Sequence, residues 1–153
     1  MSDRVDYVKA APAAYKLASQ LEATLKHSGL EYSLFELVKT RASQINGCAY
    51  CIHMHTAEAM KHGETAMRLF LLDAWRESSL YSPRERAALA WTESLTRIAD
   101  KGAPEDQYQE LAKHFSEAEI ANLTILIGMI NLWNRVAIGL SSRHPENPGD
   151  QRS

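Results

Sequence analysis

The sequence predicts an all-α protein built as a single domain of about seven helices. Three observations carry that prediction. Apolar residues recur three and four positions apart and almost nowhere alternate, the periodicity of helices with a buried face. Gly, Pro and Ser punctuate the periodic runs at helix-length intervals. A chain of 153 residues, 45% hydrophobic and 24% charged, is long enough for one domain with its own core.

The first helix is expected over residues 11–27, with Tyr15, Leu17, Ala18, Leu21 and Leu25 along one side and Gly29 just beyond its end. The second spans residues 33–46 and stops at Gly47; the third spans 48–62 and stops at Gly63. The fourth, residues 64–77, carries Met67, Leu69, Phe70, Leu71 and Trp75. The fifth, residues 83–101, has a clear start: Ser82 caps it, Pro83 sits at its first position, Glu85 completes a capping box, and Gly102 ends it. The sixth covers residues 105–115. Ser116, with Glu119 three residues on, opens the last helix, which runs to about Leu140. That helix is apolar nearly all round, so it must be covered on most sides. A chain this small struggles to surround it, and assembly with further subunits through apolar helices is expected. The single domain therefore spans residues 1–153, with a core at about 11–140 and a loose tail at 141–153.

Charge narrows the function. A net charge of -2 without a Lys/Arg cluster argues against nucleic acid as a partner. The first residues are acidic where a signal peptide needs positive charge. The most apolar stretch, residues 123–133, is about half the length of a membrane span. The expected location is the cytoplasm, with no membrane partner. In that reducing compartment a permanent structural disulfide between the two cysteines is not expected.

The chemistry concentrates in residues 47–55. At about 100° per residue, Cys48, Cys51 and His55 fall within about 60° of one another on a helix. Cys51 and His55 are four apart, so the imidazole can reach the thiol of the preceding turn. Gly47 places Cys48 at a helix start, where free amides and the helix dipole favour thiolate. His55 can take the proton of Cys51 or, once protonated, stabilise its thiolate. Cα atoms at i and i+3 lie roughly 5 to 6 Å apart, which a disulfide tolerates. So short a ring adds little fold stability, so a bridge here reads as a redox state.

Two rival readings stand beside the redox one. The pair could be inert core cysteines, or Cys48, Cys51 and His55 could bind zinc. Structural zinc wants four ligands, commonly in two pairs. The chain has no second CxxC, and His62 lies about 10 Å beyond His55 along a helix. The spacing therefore favours redox chemistry without metal. Glu36 has two readings too. Residues 33–36 form a capping-box pattern, and on the residues alone Glu36 is a helix cap. His53 and His62 read as solvated, Glu58 as an exposed helix-surface pairing, and Trp75, Trp91 and Trp133 as core. Asn131 and Arg135, four apart, read as a structural hydrogen-bonding pair.

Glu36, eleven residues, Cys48-Ala49-Tyr50-Cys51, three residues and His55 together resemble the active-site signature of the AhpD-like alkylhydroperoxidases, in the carboxymuconolactone decarboxylase superfamily. The resemblance continues through residues 37–47 and Ile130-Asn131-Leu132-Trp133-Asn134-Arg135, covering most of residues 36–135. It implies an all-α fold that assembles as trimers or hexamers and reduces hydroperoxides without a cofactor. It assigns peroxide attack to Cys51, a proton relay to His55 and Glu36, and resolution of the sulfenic acid to Cys48. It also implies re-reduction by an external dithiol, in some members a lipoyl-bearing protein, and cooperation with a peroxiredoxin. The same scaffold supports other readings: a thiol-disulfide reductase, a decarboxylase-type lyase, or a zinc-binding or stress-sensing module.

Two departures from the family pattern stand out. Tyr50 occupies a position where other members carry a histidine, and a phenol is a poor base near neutrality. The chain is also shorter than members built from two similar halves, so a complete assembly is expected to need several subunits. Helix-dipole reasoning favours Cys48 as the acidic thiol, whereas the His55 spacing and the resemblance favour Cys51. The second is preferred, because a bonded base outweighs a terminal dipole worth about 1 kcal/mol.

Overall fold

The computed structural model describes residues 4–143, all of whose regular elements are helical. In chain order they are α1 (Tyr7–Ala10), α2 (Pro12–Lys26), α3 (Tyr32–Asn46), α4 (Ala49–Lys61), α5 (Ala66–Leu71), a 3-10 turn (Leu72–Ala74), α6 (Pro83–Thr96), α7 (Ile98–Lys101), α8 (Glu105–Ala112) and α9 (Glu117–Gly139). The all-α prediction and the punctuation by Gly, Pro and Ser hold. Pro12 starts α2, and both expected capping boxes form, Ser82 with Glu85 and Ser116 with Glu119.

α3 is the centre of the fold and packs on α4, α6 and α9. Leu37, Val38, Thr40 and Ala42 on α3 are fully buried. The main core joins α3 to α6 and α9 through Leu34, Phe35, Trp91, Leu123 and Leu126, with Leu25 from α2 and Leu111 from α8. A second core forms from Leu37, Ala59, Leu69, Leu72, Trp75 and Leu89. Between α3 and α6 lies a buried polar link: Arg41 Nε donates to Glu93 Oε1 at 2.9 Å, and Trp75 Nε1 donates to the same oxygen at 2.9 Å.

Two expectations need correcting. The helix foreseen over residues 64–77 is shorter, because Thr65 caps α5 and the chain tightens into a 3-10 turn at Leu72. Beyond it, Arg86 of α6 takes the carbonyls of Trp75, Arg76 and Ser78, which a continuing helix would have used itself. The helix foreseen over residues 83–101 breaks at Arg97, whose φ of -109° and ψ of 40° are not helical, leaving α7 as a single turn. One further turn of helix, α1, stands ahead of the first one expected, and it buries no residue. Before it, Arg4 N–H donates to the carbonyl of Leu140 at 2.9 Å. Of the tail expected to be loose, Ser142 is bonded to the Ala137 carbonyl at 2.8 Å, and residues 144–153 lie outside those described.

α9 also differs from its sequence reading. Taken whole, its 23 residues are long and apolar enough to cross a membrane by length and composition, although the stretch 123–133 alone is not. In this fold Leu123, Leu126 and Ile130 are fully buried, whereas Ile125, Leu132 and Ile138 are 47%, 42% and 47% exposed. On α2 only Leu25 is buried, and Leu17 is 67% exposed, so that helix lies against the bundle rather than within it. Leu126→Ala is expected to cost about 2 to 5 kcal/mol of stability, read as a lower urea midpoint with an unchanged slope.

Candidate active site

The site begins with a turn. α3 ends at Gly47, which adopts φ 70° and ψ 32°, a left-handed conformation that favours glycine. The chain reverses there, and Cys48 N–H donates to the Ser43 carbonyl at 3.0 Å. Cys48 is the N-cap of α4 rather than its first helical residue, and its sulfur accepts the Cys51 N–H at 3.3 Å. The turn is clamped to α9. Asn46 Nδ2 donates to Asn131 Oδ1 at 3.0 Å and to Asn134 Oδ1 at 2.8 Å, and Asn134 Nδ2 donates to Ser43 Oγ at 3.0 Å. Asn131 also accepts Arg135 Nη1 at its carbonyl, 2.8 Å away, so the expected Asn131–Arg135 pairing is present.

Cys48 and Cys51 are joined as a disulfide, with Cα atoms 5.3 Å apart, and both are 1% exposed. Ala137 of α9 packs against them, with Tyr50 at their edge. His55, one turn further along α4, is 3% exposed, as is Glu36 on α3. His55 Nδ1 lies 2.9 Å from Glu36 Oε2. All four predicted residues therefore come together. His55 Nε2 is buried and has no hydrogen-bond partner.

Glu36 is not a cap. The helix starts at Tyr32, two residues before the expected register would allow, and its N-cap Glu31 makes no side-chain cap bond. Glu36 thus falls beyond the first turn and faces His55. A side-chain cap is worth about 1 kcal/mol, whereas a buried imidazole N–H left without an acceptor costs about 1 to 3 kcal/mol. The pairing wins.

Burial works against the Glu36 carboxylate, but the hydrogen bond from His55, with Lys39 and Tyr32 beside it, prevails and holds its carboxyl below the usual range. For His55 burial is the larger influence, outweighing the Glu36 bond and holding the imidazole below its ordinary value. An ionised carboxylate can only accept, so Nδ1 carries the proton and Nε2 presents a lone pair. Burial and the neighbouring Glu36 push the Tyr32 phenol up, so it stays protonated.

A cavity of about 360 Å³ opens onto Cys51, His55 and Glu36. Tyr7, Tyr15 and Trp133 form one aromatic run along it, with ring centroids 5.9 and 6.1 Å apart. Tyr32 and Phe35, stacked at 6.1 Å, line it from α3, and Met54 from α4. Glu22, Lys26 and Lys39 add charge. Trp133, read from the sequence as core, is only partly buried and lines this cavity. Glu58 pairs with Lys61 at 2.7 Å rather than orienting His55. Among the described residues no group of three or more His, Cys, Asp or Glu has an arrangement that would hold a metal ion.

The carboxymuconolactone decarboxylase family model matches residues 12–94, which include the glutamate, both cysteines and the histidine. This chain belongs to that family. It is 42% identical over 143 residues to the uncharacterised protein YdfG of Bacillus subtilis, covering 94% of this chain and 97% of that one. The uncharacterised protein YnjA of Escherichia coli is 29% identical over 110 residues, covering 72% of this chain and 60% of its own length. Among solved structures, one from Agrobacterium tumefaciens superposes with a TM-score of 0.92 at 44% identity, covering 95% of this chain and all of that one. It is described as a protein of unknown function and a candidate AhpD antioxidant defence protein. An uncharacterised AhpD-core peroxidase-related protein from Ralstonia eutropha, at 18% identity, has a TM-score of 0.80 over 91% of this chain and 74% of its own. The debrominase Bmp8, solved with 2,3,4-tribromopyrrole, has a TM-score of 0.79 at 17% identity over the same shares. At such identities the likeness is one of fold, and the fold is AhpD-like.

Sequence reasoning missed what the four residues rest on. Asn46 and Asn134 fall within the resembling segments but were given no role of their own, and Tyr7, Tyr15 and Glu22 lie before the recognised region. Their signal was faint: polar residues in an apolar last helix, and aromatics on the inward side of α2.

Both members of the dyad titrate below their ordinary values, so each adds stability that is full above its unfolded value and is lost as pH falls towards its folded value. The loss begins near 6.5 for His55 and near 4.5 for Glu36. Urea midpoints measured from pH 7.5 down to 4 should fall, and His55→Gln, which removes one of these groups, should make that fall shallower.

Proposed function

We propose that this protein is a thiol-dependent hydroperoxide reductase that cycles between a Cys48–Cys51 dithiol and disulfide. The observation that carries the reading is the buried Glu36–His55 hydrogen bond, which leaves His55 Nε2 as an unpartnered acceptor one helical turn from Cys51. In the reduced protein Nε2 takes the Cys51 proton, and Glu36 steadies the imidazolium that results. The thiolate attacks the terminal oxygen of the hydroperoxide, the O–O bond breaks, and the leaving alkoxide collects the proton from His55 and departs as an alcohol. Cys51 is left as a sulfenic acid. The Cys48 sulfur then displaces the hydroxyl, which leaves as water with the Cys48 proton, and the disulfide closes. An external dithiol returns two electrons and two protons by exchange.

The choice of Cys51 as the attacking sulfur rests on its register with His55. Cys48 at the N-cap has the helix terminus in its favour, and its place beside Cys51 suits it to resolve the sulfenic acid. Because both sulfurs are 1% exposed, the reductant must enter through the cavity. That favours a slender dithiol, such as a lipoyl group carried on a protein, over a flat protein surface. A peroxiredoxin as a further electron acceptor and a cytoplasmic location belong to the same reading. The Agrobacterium relative, described as a candidate antioxidant defence protein, supports the direction of the chemistry. The exposed Ile125, Leu132 and Ile138 on α9 support assembly with further copies of the chain, as a trimer or hexamer. Sedimentation velocity should accordingly show an oligomer, and a monodisperse monomer would remove that part.

The central test is mass spectrometry of the reduced protein after an organic hydroperoxide and a sulfenic-acid trap. Cys48→Ser should carry the trap on Cys51, and Cys51→Ser should carry none. Glu36→Gln should lower kcat/KM by about 10²-fold or more while the protein stays folded. An unoxidised pair in the wild type would overturn the proposal.

A further inference from the structure

We propose that Lys39 is the positioning residue of this site: its buried ammonium, held by Glu22, adds to the burial that keeps His55 in its proton-accepting form and offsets the negative charge that a Cys51 thiolate brings into the cavity. The inference deepens the peroxidase reading and rests on the same dyad, but concerns the ionisation of the thiol rather than the fate of a peroxide.

Lys39 follows Glu36 by three residues on α3, so the two side chains share a face one turn apart. It is 4% exposed and lines the cavity that holds Cys51, His55 and Glu36. Its Nζ pairs with Glu22 of α2 and lies 4.8 Å from the centre of the Phe35 ring. Glu22 is fixed in turn, since its second carboxylate oxygen accepts Trp133 Nε1 at 3.1 Å. α3 supplies the ammonium, α2 the carboxylate that holds it, and α9 the indole that holds the carboxylate. An ion pair with one member buried and the other 23% exposed is a poor stability device, because apolar residues of similar size commonly serve as well. A charge kept here has an electrostatic use, since neighbours interact strongly in so poorly solvated a place.

The charges facing His55 can be named element by element. α3 contributes Glu36, Lys39 and the phenol of Tyr32; α2 contributes Glu22, the exposed Lys26 and the phenol of Tyr15; α4 contributes Glu58, occupied with Lys61, the phenol of Tyr50 and Cys51 itself; α1 adds the phenol of Tyr7. Glu36 and Glu22 favour the imidazolium, and Lys39 opposes it. Without Lys39, two carboxylates would press His55 towards its charged form and repel a thiolate. With it, the base stays free and the thiolate has a cation in the same cavity. Glu22 holds the ammonium in place while its own charge opposes the effect, so the two members of the pair act with opposite sign.

That opposition supplies the test. The pH dependence of Cys51 alkylation by iodoacetamide is measured in reduced, folded protein on a Cys48→Ser background, with folding checked by circular dichroism. Lys39→Met should move the profile upward by about one pH unit or more. Lys39→Arg, which keeps the charge, should restore it. Glu22→Gln should move the profile downward. A pair that only holds α2 against the bundle would shift both variants the same way. An Lys39→Met profile that matches the parent, or a Glu22→Gln profile that moves upward with it, overturns the proposal. The readout needs no peroxide, so a protein that ionises Cys51 as described yet reduces no hydroperoxide would refute the proposed function alone.

Discussion

A carboxylate and an imidazole that are both almost wholly buried can share a hydrogen bond only if the helices carrying them are fixed in distance and rotation. In this protein that demand falls on α3 and α4. Glu36 lies early on α3 and His55 in the middle of α4, so the two helices must run back alongside each other from the turn that joins them. Gly47 permits the reversal, and the Asn46–Asn131–Asn134 contacts tie its start to α9. Ala137, later on the same helix, closes over the sulfurs. The dyad, the turn and the centre of the bundle form one connected structure, and loosening any part of it would let the imidazole swing.

The same burial decides the electrostatics. Water would screen charge and satisfy every polar atom, and here it is largely replaced by aromatic rings and a few fixed partners. Glu36 stays ionised because His55, Tyr32 and Lys39 compensate for its lost hydration. His55 stays neutral because burial outweighs the pull of that carboxylate. The outcome is a buried imidazole with one nitrogen committed to a carboxylate and the other left without a hydrogen-bond partner. Tyr50 sits against the cysteine pair, at the edge of the cluster it forms with Ala137.

Much of this could be read from residue order. Helical periodicity gave the class, and Ser-Pro and Ser-x-x-Glu signals gave two helix starts to the residue. Cys48, Cys51 and His55 share a face because helical geometry is local, and their spacing alone brings them into one stripe. The failures were those of local rules overruled by distant groups. The run at 64–77 is a sound helix pattern that ends because Arg86, far along the chain, takes its carbonyls. The capping pattern at Ser33 and Glu36 is equally sound, and was overruled by a helix start two residues earlier and a partner nineteen residues away.

By itself, then, the sequence determined the helical class, the sulfur stripe and, through resemblance to its family, the choice of the four central residues. Only the tertiary structure decided what those residues face. Pairing Glu36 with His55, clamping the Gly47 turn with two asparagines of α9, and bringing Lys39, Glu22 and Trp133 to one cavity all join positions between 17 and 111 residues apart in the chain. Spacing along a helix fixes a direction, but a partner on another helix is chosen by the packing of apolar faces, and that choice is made by the whole core at once.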